Sequence, residues 1–251
     1  MKTGPYRLET YGVSRDESPR SCATRFARML SGLVLLHPAF GRWNQQGYTE
    51  AEWSVPFCAM PPNIDELKSI FEKGRHYKDI THELMPEAGF SASAWNGREG
   101  PLGVSMRLDV GSYWDRPDFP NQIDFELGDL ARENVDLIDA NTLKALLLAT
   151  VGAWEPSWVS LASLDYSKQF FDTLPPPPFR SGWMTYLSAP YARKVTPPPL
   201  AITEPVAGGG ILLLATSEPF TTDNPQHVAV ADAIQVCLEP LQSNPRLAPA
   251  S

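Results

Sequence analysis

The sequence predicts an α+β fold, a mostly antiparallel sheet flanked by N-terminal, central and C-terminal helices. Three observations predict it. Apolar residues recur at helical spacing near both ends and once in the middle. Between those stretches, short segments alternate apolar and polar residues with a period of two and close in turn residues. Apolar residues at 43% and charged residues at 20% of 251 positions are globular proportions, sufficient for a core without disulfides or metal. We therefore expect a single domain over residues 1–251, with its ordered core at about 6–242.

The first helix follows Ser18, a capping residue, and Pro19, which suits the first helical position. Cys22, Phe26, Met29, Leu30, Leu33 and Leu36 share one face, and His37–Pro38 is the expected stop. A second helix should start at an Asn63 cap and carry Ile64, Leu67, Ile70 and Phe71 to Gly74. Phe90, Ala92 and Ala94 alternate with Ser91 and Ser93, and Asn96–Gly97 lies in the turn that follows. Val104, Met106, Leu108 and Val110 form the return strand, and Ile123, Phe125 and Leu127 a third. A central helix after Asn141 carries Leu143, Leu146, Leu147 and Val151 and stops before Pro156.

Trp158–Ser163 and Gly182–Ser188 read as strands, with Pro175–Pro178 between them as a stiff polyproline-II spacer. Pro197–Pro199 precedes a turn at Gly208–Gly210 and an apolar strand, Ile211–Thr216. The last helix starts at an Asn224 cap with Pro225 next, is lined by Val228, Ala231, Ile234 and Leu238, and Pro245 ends the ordered part.

Charge and cysteine usage narrow the function. A net charge of −8 argues against nucleic acid as a direct partner, because phosphate binding needs a basic footprint. It suits a basic protein partner. Cys22, Cys58 and Cys237 are too few and too scattered for a disulfide framework or a zinc site, and fit a reducing compartment. The first residues, MKTGPYRLETYGVS, lack the apolar stretch of a signal peptide, and no apolar run approaches the roughly 20 residues of a membrane span. The expectation is a cytoplasmic protein with no membrane contact.

Catalytic patterns are missing. The sequence has no G-x-S-x-G elbow, no phosphate loop and no H-E-x-x-H. The histidines, at 37, 76, 82 and 227, are scattered, and the six-residue spacing of His76 and His82 is poor for a metal pair. We assign no catalytic, cofactor-binding or metal-binding residue. Of seven tryptophans, most read as core; Trp114 follows a strand end and opens a charged loop, where an aromatic residue can anchor a protein interface.

The sharpest electrostatic feature is residues 115–139. Eight acids, Asp115, Asp118, Asp124, Glu126, Asp129, Glu133, Asp136 and Asp139, stand against Arg116 and Arg132, a net −6 of the chain's −8. A field of this kind speeds encounter with a basic partner. Trp114, Asp115, Asp118, Asp124, Glu126, Asp129, Glu133 and Asp136 are the candidate partner-binding residues. Charge reversal at Asp124, Glu126 and Asp129 is expected to weaken binding and spare stability.

The order of several segments then carries a resemblance. The run 14–18 (SRDES) leading to Cys22-Ala23 and Arg25 is the first, and Gly89-Phe90-Ser91 closing in Trp95-Asn96-Gly97 is the second. Trp154-Glu155-Pro156-Ser157-Trp158, the 182–188 segment (GWMTYLS) and the helix start at 220–228 (FTTDNPQHV) complete the set. Together they resemble the immunity protein 52 family of bacterial polymorphic toxin systems, over about residues 6–240. The resemblance implies a cognate antitoxin that binds a secreted toxin in the cytoplasm of the producing cell. It further implies a toxin with a restriction-endonuclease-like nuclease domain, often delivered by type VI secretion. It implies no catalytic residues and is compatible with a homodimer. Two other classes stay open from the residues alone. One is an enzyme with a distributed carboxylate site, marked by a metal bound at stoichiometry or by a cluster of perturbed carboxylates in a deep pocket. The other is a scaffold whose proline segments serve as ligands for SH3-like domains.

Overall fold

In the computed structural model of the chain, the described residues are 5–46, 55–98, 103–113, 121–128, 139–171 and 178–242. Among these residues nine strands form one sheet: β1 (Tyr6–Tyr11), β2 (Asn44–Gln45), β3 (Phe90–Trp95), β4 (Val104–Val110), β5 (Gln122–Leu127), β6 (Trp158–Ser163), β7 (Met184–Leu187), β8 (Ile202–Val206) and β9 (Gly210–Leu214). Their spatial order is β2-β3-β4-β5-β1-β6-β7-β9-β8, and each neighbouring pair is antiparallel. Seven helices accompany the sheet among the described residues: α1 (Pro19–Leu33), α2 (Ile64–Lys73), α3 (Ala140–Trp154), α4 (Leu164–Phe171), α5 (Ala189–Ala192), α6 (Pro225–Cys237) and α7 (Glu239–Gln242). The fold is α+β, as the periodicities predict.

Local chemistry starts the helices where the sequence places the caps. The Ser18 hydroxyl accepts from the Ser21 amide, Asn63 from Asp65 and Glu66, and Asn224 from Gln226, with Pro19 and Pro225 at first helical positions. Two boundaries shift. α1 ends at Leu33, four residues before His37; the His37 ring instead caps a 3-10 turn at Pro38–Phe40. α3 starts one residue before Asn141 because the Asp139 carboxylate is the cap. Asp139, counted in the acidic run, is therefore spent on a helix terminus.

Five elements escape the sequence reading: β1, β2, α4, α5 and β8. β1 is the central strand, paired with β5 on one side and β6 on the other. Its alternation, Tyr6, Leu8 and Thr10 against Arg7, Glu9 and Tyr11, is short and carries charge at two of six positions. α4 is only eight residues long. β8 is an edge strand that carries Pro205, and a proline without an N–H is tolerated only at an edge. The 208–210 glycines do form a turn: they close the β8–β9 hairpin, with Gly208 at φ 83° and Gly209 at φ 84°. Of the polyproline segment, Pro175–Pro177 lie outside the described residues, as does Pro245.

The inward face of the sheet is apolar from β3 across to β9. Leu8, Phe125, Met106, Ala94, Leu161, Met184 and Leu214 lie on it in register and belong to one core with Phe26, Met29 and Leu30 of α1, Phe71 of α2 and Leu146 and Leu147 of α3. A second, smaller cluster joins Trp158, Phe179, Leu187 and Tyr191 to Leu238 and Leu241. Trp43, Trp158 and Trp183 are fully buried, in line with a packing role.

α2 ends against β3 with no room to spare. The Gly74 carbonyl accepts from the Ser91 amide at 2.8 Å, and a Cβ at position 74 would lie 1.8 Å from the Ser91 carbonyl oxygen. That neighbour is backbone and cannot swing away. Gly74→Ala should lower stability by about 3 kcal/mol, the upper part of the overpacking range. Gly152, inside α3 with nothing near its Cβ direction, is the control. Gly152→Ala should raise stability by about 0.5–1 kcal/mol through helix propensity. Urea midpoints at unchanged slope read both; a neutral Gly74→Ala would refute the close approach.

Candidate functional site

One half of the outward sheet face is polar, and strand register builds it. Side chains alternate, so β3 contributes Ser91, Ser93 and Trp95 outward, β4 Ser105, Arg107 and Asp109, β5 Gln122, Asp124 and Glu126, and β1 Arg7 and Glu9. Pairing sets them in rows across the strands. One row reads Ser93, Arg107, Asp124, Glu9; the next reads Trp95, Ser105, Glu126, Arg7.

The first row puts two carboxylates, Glu9 and Asp124, directly opposite one another, a repulsive arrangement on its own. Two arginines resolve it. Arg7 Nη2 donates to Asp124 Oδ2 at 3.0 Å, while Arg7 Nε lies 3.1 Å from Glu9 Oε1. Arg180 Nη2 donates to Glu9 Oε2 at 2.6 Å, and its guanidinium lies over the rings of Trp158 and Phe171. Gln122 adds an amide hydrogen bond to Asp124 at 2.7 Å. Asp124 is only 8% exposed, and its Oδ1 is buried without a hydrogen-bond partner among the described residues. Burial, the largest influence, pushes the Asp124 carboxyl above its usual range, against the Gln122 and Arg7 hydrogen bonds that pull it down. Arg7 goes up: burial opposes the rise, but Glu9 and Asp124 together outweigh it.

The eight predicted partner-binding residues divide as follows. Asp124 and Glu126 lie on the same face of β5 in different environments: Asp124 is buried in the arginine network, whereas Glu126 is exposed opposite Arg7. Trp114, Asp115, Asp118, Asp129, Glu133 and Asp136 lie outside the described residues. The expectation that reversal at Asp124 spares the fold is corrected here, because Asp124 is the internal counter-ion of Arg7. Sequence reasoning missed Arg7, Glu9 and Arg180 altogether. The period-two alternation of β1 was the available signal for the first two; nothing local marks Arg180, which reaches Glu9 across 171 positions.

Groups that could do chemistry are otherwise engaged. Ser91 Oγ donates to Asp109 Oδ1 and lies 3.0 Å from His76 Nε2. The serine sits in the middle of this chain, so the order is not that of a Ser–His–Asp relay, in which histidine joins the other two. Asp109 also pairs with Arg107 at 2.8 Å. Burial pushes the Cys22 thiol up to about 12 and the Cys58 thiol up to about 11, away from a reactive thiolate. Among the described residues, no three His, Cys, Asp or Glu side chains are placed to hold a metal ion. No described helix is long and apolar enough to cross a membrane. A groove of about 710 Å³ between α3, α5 and the β8–β9 hairpin is walled by groups such as Leu148, Val151, Pro190 and Leu212. Its Glu204 is already paired with Lys144.

Comparison with known proteins adds the lineage. The family model described as Immunity protein 52 matches residues 5–242. A solved structure titled as the Pseudomonas aeruginosa T6SS protein PA0821 shares the fold with a TM-score of 0.53 at 13% identity, covering 93% of this chain and 73% of that one. No curated protein matches the sequence.

Proposed function

The chain belongs to the immunity protein 52 family, and from that membership we propose that it is the inhibitor of a cognate secreted toxin. The observation that carries the proposal is the family match over nearly the whole described chain. The toxin we propose is a nuclease of restriction-endonuclease-like fold, as the family resemblance implies; its delivery by type VI secretion is supported by the structural neighbour, which is named as a T6SS protein. Inhibition is by stoichiometric protein binding in the cytoplasm of the producing cell, not by catalysis.

A nuclease grips phosphates and so presents a basic cleft or rim. The complementary surface is the acidic run around β5. Asp115, Asp118, Asp129, Glu133 and Asp136, with exposed Glu126, supply the steering field, and Trp114 supplies a desolvated anchor. Asp124 has a different part. Its charge is offset by Arg7, so it adds little at long range and instead holds β5 to β1.

The test is coexpression with the toxin domain encoded beside this gene. Growth should be rescued, and the two proteins should copurify. Association measured by stopped flow should slow at least tenfold between low and physiological salt, as expected for steered encounter. Unrelieved toxicity with no complex would sink the inhibitor reading; a salt-independent rate would sink the steering mechanism alone.

A further inference from the structure

Residues 75–85 leave α2 and form a small protruding hairpin before β3. Tyr77 and Leu84 face each other as a bridge pair, Lys78 N–H donates to the Glu83 carbonyl at 2.9 Å, and His82 N–H donates to the Lys78 carbonyl at 3.0 Å. Met85 N–H donates to the His76 carbonyl, and Lys78 Nζ pairs with Glu83 at 2.6 Å. The base is tied to the sheet: Arg75 bridges Phe90, and the His76 ring bonds Ser91 on the polar face.

This well-braced hairpin presents apolar groups to water. Ile80 at its tip is 93% exposed, Tyr77 53% and Leu84 39%. Tyr113, 42% exposed, belongs to the same corner, because its N–H donates to the carbonyl of Glu87, two residues after Met85. Scattered single apolar residues on a surface need no explanation, but three on one ordered loop with a fourth beside them form a patch. An apolar anchor held in place before binding loses little entropy on binding, which is the property of an interface hot spot.

The charges around the patch say what covers it. Lys78 is neutralised by Glu83, and Arg75 lies over the Phe90 ring. Asp79 has no ion pair among the described residues, and Glu87 stands beside Tyr113. Along the chain, Tyr113 runs directly into Trp114 and Asp115 of the acidic segment. The tip of the hairpin, residues 77–84, is therefore apolar with a net charge of −1, left by the Asp79 carboxylate beside Ile80 once Lys78 and Glu83 cancel. We infer that Ile80, with Tyr77 and Leu84, is the apolar anchor that inserts into a pocket of the toxin rimmed by lysine or arginine. This inference rests on the reading of the chain as a toxin inhibitor.

The experiment compares wild type, Ile80→Asp and Leu200→Asp. Leu200, 73% exposed just before β8 at the far edge of the sheet, serves as the control. Each is measured for its unfolding midpoint, for its mass by light scattering, and for binding to the neighbouring toxin domain carrying an inactivating substitution. Ile80→Asp should unfold like wild type yet dissociate from the toxin at least tenfold faster, with Leu200→Asp unchanged. If wild type binds and Ile80→Asp binds equally well, the anchor is refuted alone. If Ile80→Asp instead converts a wild-type dimer to monomer with toxin binding intact, the occupant is a second copy and the inference is overturned. If wild type does not bind, the inhibitor reading fails and the anchor falls with it.

Discussion

Asp124→Lys is expected to lower the unfolding free energy by about 3 kcal/mol, whereas Glu126→Lys, two residues along the same strand and face, should cost under about 1 kcal/mol. The difference is environmental. Asp124 is 8% exposed and shares Arg7 with Glu9, so a lysine there would set a second cation against Arg7 in a site with little water. The loss falls at the lower end of the range for a broken buried pair because Arg7 is itself partly solvated and keeps Glu9. Glu126 is exposed and has no packing to lose.

A neutral variant checks the electrostatics by sign. The folded-state value of Asp124 is raised above the unfolded one, chiefly by burial, so the native state holds its proton to higher pH. In the window from the ordinary carboxylate range up to the raised value, native protein binds more protons than unfolded protein, and stability falls as pH rises. Asp124→Asn should remove that fall: wild type minus variant should decline across the window and then level off. Urea titrations at several pH values read it. A difference that grows more favourable to wild type with rising pH would mean that Arg7 outweighs burial.

Trp183→Ala is the second large effect, expected at about 3–5 kcal/mol, or a drop in Tm on the order of 10 °C for a chain of this length. Trp183 is fully buried, packs its ring 5.6 Å from that of Tyr6, and donates its indole N–H to the Thr216 carbonyl at 2.9 Å. Tyr6 in turn donates to the Phe220 carbonyl at 2.6 Å, so the residue joins β1, β7 and the approach to α6. Truncation leaves a cavity and an unpaired carbonyl together. Trp183→Phe, which keeps a ring and loses the donor, should cost clearly less. Binding of the toxin by the folded fraction should be unchanged in both. Weakened binding at full stability would move Trp183 from the core to the interface.

The same contrast governs what could be read from the residues alone. Helix starts at Ser18, Asn63 and Asn224, and the strands at Phe90–Trp95, Val104–Val110 and Gln122–Leu127, were legible because caps and period-two alternation act between near neighbours. The family was legible too, because its segments keep their order along the chain.

What the tertiary structure decided is which charges face each other. A run of acids looks uniform in sequence, but Asp124 meets Arg7 across 117 positions and Glu9 meets Arg180 across 171. β1, a short strand near the start of the chain, becomes the middle of the sheet only by pairing with β5 and β6. The exposed tip of the 75–85 hairpin likewise looks like an ordinary mixed loop until its apolar side chains are seen to find no core. Alternation along a strand says which residues share a face; only the neighbouring strands, brought from far along the chain, say whether that face is wet, neutralised or buried.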